Sequence, residues 1–129
     1  MDSNAALVRL KGFQVEGLRR KVAQLHTMIA DFDRLAAELD REIHAEEVRS
    51  GNSDPAHYAY PTYAKAAQQR RENLKRSASE LAAQLDAAKK TLAEADEELH
   101  ALAAMDRRDL AGDIVRPRGT VGFDLNRAS

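Results

Sequence analysis

Apolar residues recur over the first third of the chain at alternating intervals of three and four positions: Val15, Leu18, Val22, Leu25, Ile29, Phe32, Ala36, Leu39 and Ile43. A second series runs through Ala67, Arg71, Leu74, Ala78, Leu81, Leu85, Ala88, Leu92, Ala95, Leu99 and Leu102, with Arg71 as its only polar member. A repeat of about 3.5 residues keeps one stripe of an underwound helix turned toward a partner and imposes a left-handed supercoil. The pattern predicts an all-α chain made of two long helices. The first runs from about Val15 to Val48, roughly 34 residues and about 50 Å at about 1.5 Å per residue. The second runs from near Pro61 to about Arg108.

Helix punctuation agrees with those limits. Ser50-Gly51-Asn52 ends the first helix, with Gly51 placed as a left-handed C-cap. Asp54-Pro55 has the form of a helix start, but Pro61 holds Tyr60 away from helical dihedrals, so residues 55–60 amount to a short turn. Residues 1–14 are expected to be a frayed helical segment, because Gly12 and Gly17 each cost about 1 kcal/mol relative to alanine. Gly112, Pro117, Gly119 and Gly122 predict a flexible tail over 109–129, in which Phe123 and Leu125 are read as disordered filler, a short docking element being the lesser option.

The order of charges decides how the helices pair. Arg9, Lys11, Arg19, Arg20 and Lys21 against Glu16 leave residues 9–21 at +4, whereas seven acids against Arg34 and Arg41 leave 31–47 at −5. The second helix repeats the order, +4 over 65–76 and −4 from Glu94, Asp96, Glu97 and Glu98. Folding back at the turn sets opposite charges side by side, and parallel pairing sets like against like. Exposed pairs contribute only about 0–1 kcal/mol each, so charge selects orientation and register more than stability. The prediction is an intramolecular antiparallel coiled-coil hairpin over 15–108 with its turn at about 50–60, an intermolecular bundle being the lesser option. Arg71, at a seam position, is expected to reach Glu42 or Glu46.

Composition fits: aromatics are 5% and charged residues 32% of 129 residues, a bias toward long helices over a multilayer core. A net charge of −1 gives no overall attraction to nucleic acid or anionic membrane. The absence of cysteine suits a reducing compartment. Neither a secretory signal nor an apolar stretch long enough to span a bilayer is present, which points to a cytoplasmic location.

Candidate chemistry is sparse. His26, His44, His57 and His100 show no metal-ligand spacing, the carboxylates lie on solvated helix faces, and there is no phosphate loop or nucleophile elbow. The expectation is a non-enzyme with no cofactor, metal or small-molecule substrate. Two groups remain as partner-binding candidates. One is basic and near the paired termini: Arg9, Lys11, Arg19, Arg20, Lys21, Arg107 and Arg108. The other comprises all three tyrosines, Tyr58, Tyr60 and Tyr63, at the turn. Tyrosine brings large contact area with few rotors; the alternative is that Tyr60 and Tyr63 lid the apolar seam. For Arg19, Arg20 and Lys21 the alternative is pairing with Glu94 to Glu98.

Arg9-Leu-Lys-Gly-Phe-Gln-Val15, Val22-Ala-Gln-Leu-His-Thr-Met-Ile-Ala30 and Asp54-Pro-Ala-His-Tyr-Ala-Tyr-Pro-Thr-Tyr63 resemble the alphaproteobacterial form of the flagellar type III export protein family FliJ. The resemblance implies a small antiparallel coiled coil similar to the stalk of rotary ATPases. It also implies association with the hexameric export ATPase through the basic, paired-terminal end, contact with the export gate membrane protein through the tyrosine end, and handling of export chaperones. Such a protein is cytoplasmic, is held at the inner membrane by its partners and serves flagellum assembly and motility. A nucleic-acid-binding coiled-coil arm and a structural spacer are the competing readings of the residues themselves.

Overall fold

The computed structural model describes residues 2–115, which form two helices, α1 (Asp2–Ser50) and α2 (Thr62–Val115), packed against each other as an antiparallel hairpin. All members of both apolar series lie buried or half-buried, including Arg71. The described residues divide into two compact units, one of residues 2–19 with 90–115, the other of residues 20–89.

In the unit of residues 20–89, Leu39, Ile43, Tyr60, Ala64 and Ala67 form one core cluster with Leu74 against it. Leu25, Leu85 and Ala88 form another, flanked by Val22, Ile29 and Leu81. Large residues of α1 thus meet alanines of α2, as close packing of two helices requires. In the other unit Val15 and Ala95 are buried, Lys11 Nζ lies 2.8 Å from Glu98 and Arg19 lies 3.4 Å from Asp96. Asn4 donates a hydrogen bond to Asp109. These contacts join the basic start of α1 to the acidic end of α2, as the charge order requires.

The turn is built from side-chain to backbone bonds. Gly51 has φ of 73°, and its N–H donates to the carbonyls of Glu47 at 2.9 Å and Val48 at 3.3 Å, which closes α1. The Asn52 side chain accepts from the Asp54 N–H and the Asp54 carboxylate from the Ala56 N–H, each at 3.0 Å. Two successive turns follow, with the His57 N–H on the Asp54 carbonyl and the Tyr60 N–H on the His57 carbonyl. The Pro61 carbonyl then accepts the first helical bond of α2, from the Lys65 N–H.

The segment expected to fray over 1–14 is helical from Asp2, because Asn4, Val8 and Lys11 extend the same spacing and are half-buried; that packing offsets the propensity cost of Gly12. The first helix ends at Ser50, at the expected Ser50-Gly51-Asn52 stop. The second passes Arg108 and continues through Gly112 to Val115, since one glycine weakens a helix without ending it. The rest of the expected tail, with Phe123 and Leu125, lies outside the described residues. Arg71 is also corrected: its guanidinium pairs with Asp40 at 2.7 Å and Glu72 at 3.0 Å, not with Glu42 or Glu46. Ala67 shares a cluster with Ile43, and Arg71, one turn further from the hairpin turn, falls level with Asp40.

Candidate functional site

The three tyrosines have three different environments. Tyr60, at the last turn before α2, is 7% exposed. Its hydroxyl donates to Glu47 at 2.6 Å and accepts from the Gln68 amide at 3.1 Å. Burial, then the hydrogen bond to Glu47, pushes its phenol up to about 12, against an opposing pull from Arg71. Tyr60 therefore lids the core and offers little area to a partner. Tyr58 is 95% exposed and stacks on His57 with ring centroids 4.6 Å apart. His57 is itself anchored, its Nδ1 accepting from the Ala59 N–H at 3.0 Å and lying 3.0 Å from the Asn52 side-chain nitrogen.

Tyr63, in the first turn of α2, is 54% exposed, and its hydroxyl donates to Glu42. That hydrogen bond is the main cause of its raised phenol pKa, with burial second. The ring borders an open groove of about 220 Å³ between α1 and α2, lined by Leu35, Glu38, Glu42, Tyr63, Arg70 and Leu74. The lining mixes leucine side chains with both signs of charge, a surface that a protein side chain can fill. Leu35 stands exposed here. It lies outside the apolar series, one position before Ala36, so seam spacing alone passes over it. The available signal was an apolar residue flanking the seam on the same side as Tyr63.

The seven basic candidates are not one cluster of equivalent charges. Arg9, Lys11, Arg19, Arg107 and Arg108 belong to one unit, Arg20 and Lys21 to the other. Lys11 occupies a seam position, its side chain 22% exposed and committed to Glu98. Arg19 is shared between Glu16 at 2.7 Å and Asp96. Arg9, Arg20, Lys21, Arg107 and Arg108 are exposed and make no ion pair among the described residues. Pairing with the acidic end of α2 thus consumes Lys11 and Arg19 and leaves the other five to solvent. Near Arg9, the apolar side chains of Leu7, Leu10 and Phe13 are also exposed.

Among the described residues no group of three His, Cys, Asp or Glu side chains is placed to hold a metal ion. His26 and His44 are exposed, and His100 Nδ1 bonds the Asp96 carbonyl at 2.7 Å. Among the described residues no helix is long and apolar enough to cross a membrane. No family model matches the chain, and no curated protein or solved structure matches it significantly.

Proposed function

We propose that this chain is a non-catalytic coiled-coil stalk and adaptor of the flagellar type III export apparatus. Its partners are the export ATPase hexamer, the export gate membrane protein and export chaperones, and it is cytoplasmic, held at the inner membrane by those partners. The observation that carries the reading is Tyr63. It is an exposed aromatic ring at the rim of an open groove of mixed leucine and charged lining, and it lies in the stretch 54–63 that resembles FliJ most distinctively. The hairpin is the framework such an adaptor requires. Arg9, Arg107 and Arg108, which make no ion pair among the described residues, are the residues assigned to the ATPase.

Copurification with the export ATPase and with the cytoplasmic domain of the gate tests this. Tyr63→Ala is expected to weaken gate binding and spare ATPase binding, while Arg107→Glu with Arg108→Glu does the reverse. If neither partner is retained and deletion of the gene leaves motility undiminished, the reading fails.

A further inference from the structure

The basic start of α2 carries more positive charge than the hairpin uses. Arg71 is satisfied by Asp40 and Glu72, and this removes Glu72, the only acid among residues 65–76, as a counter-ion for its neighbours. Among the described residues Lys65 makes no ion pair, and the Arg76 guanidinium donates only to the Asn73 side-chain amide. Lys65 and Arg76 are separated by 11 positions, close to three whole helical turns, so they project from one face about 16 Å apart. Between them lies a shallow concavity of about 560 Å³, whose lining includes Gln68, Gln69 and Asn73 together with Pro55 and the Arg71–Glu72 ion pair. Lys65 and Arg76 therefore flank a strip of side-chain amides, groups that both donate and accept hydrogen bonds, while Glu72, the one carboxylate of the lining, is paired with Arg71, which leaves positive charge in excess.

We infer that this face of α2 is a docking surface for an acidic protein segment. The cations would engage carboxylates spaced about 16 Å apart, the reach of about three turns of helix or five residues of extended chain. The amides would meet polar groups between them. A nucleic acid fits less well: no aromatic ring lines the concavity to stack a base, and amides facing a phosphate backbone would leave their acceptors unused. The inference uses neither the Tyr63 groove nor the export reading, and it stands or falls separately from both.

The test is fluorescence anisotropy of a labelled oligoglutamate peptide titrated with the full chain at low salt, beside a duplex DNA probe. Oligoglutamate is expected to bind, and Lys65→Glu with Arg76→Glu to weaken it by about tenfold or more. The neutral pair Lys65→Gln with Arg76→Gln should fall between, and circular dichroism should show all variants helical. Lys89→Glu with Lys90→Glu, the same charge change elsewhere on α2, should alter binding by no more than about twofold. Absence of oligoglutamate binding overturns the inference. So does equal loss in both charge-reversed pairs, which would mean unlocalised attraction, or tighter binding of DNA than of peptide.

Discussion

Tyr60 shows how one side chain divides between core and chemistry. Its ring fills the end of the seam and its hydroxyl holds α1 to α2 through Glu47. The folded phenol ionises at about 12, against 10.0 for a free one. The unfolded chain therefore gains ionisation first, and this contribution to stability is intact below pH about 10 and lost as pH rises from about 10 to about 12. Thermal melts followed by circular dichroism should show a falling Tm over that window. Tyr60→Phe should lower Tm at neutral pH and reduce the alkaline fall, and an unchanged alkaline profile would contradict the assignment. Arg71 makes the opposite case. Its guanidinium sits at a seam position, 23% exposed, while its partner Asp40 stays about half-exposed and well hydrated. Replacing it by leucine would bury apolar surface without stranding a charge, so Arg71→Leu should be neutral or stabilising by up to about 1 kcal/mol in chemical denaturation. The seam spacing marked Arg71 as exceptional but named the wrong acids, since a half-turn difference in register is enough to exchange Glu42 for Asp40.

At the scale of the helix, two glycines predict opposite outcomes. Gly51 ends α1 with positive φ, and an added Cβ would meet no neighbour, so the cost of Gly51→Ala is conformational, about 1 kcal/mol of lost stability. Gly12 lies inside α1 with open space where a Cβ would stand, so Gly12→Ala should stabilise by about 1 kcal/mol. Urea titration of both variants tests the pair. Leu25→Asp places an unpaired carboxylate in a cluster with Leu85 and Ala88 and should abolish cooperative melting. The glycine at the turn was legible because its position after the apolar repeat has one reading. The packing of residues 2–14 was not, because propensity counts Gly12 as a cost while the compensating burial of Val8 and Lys11 exists only against α2.

For the molecule as a whole, the charge order along two helices accounts for antiparallel pairing through Lys11 with Glu98, Arg19 with Asp96, and Asp40 with Arg71. Each of those pairs keeps one partner well exposed, so raising salt should change Tm little while weakening any partner held by Arg9, Arg107 and Arg108, which make no ion pair among the described residues. A copurification series at increasing salt, run beside melts of the free chain, separates the two effects; loss of folding in step with loss of binding would contradict it. Of the candidate surfaces, the basic residues and the tyrosines were visible as clusters in sequence. Their availability was not, because exposure and internal pairing depend on the opposite helix.

The sequence by itself determined the class of fold, the limits of the turn and the direction of pairing, because heptad spacing, a C-cap glycine and alternating charge blocks act locally or through simple order. Only the tertiary structure decided which tyrosine is buried under the seam, which stands free and which borders a groove, and which cations remain unpaired. Those outcomes depend on register between residues distant in the chain. A shift of one or two positions there exchanges partners while leaving every local pattern intact.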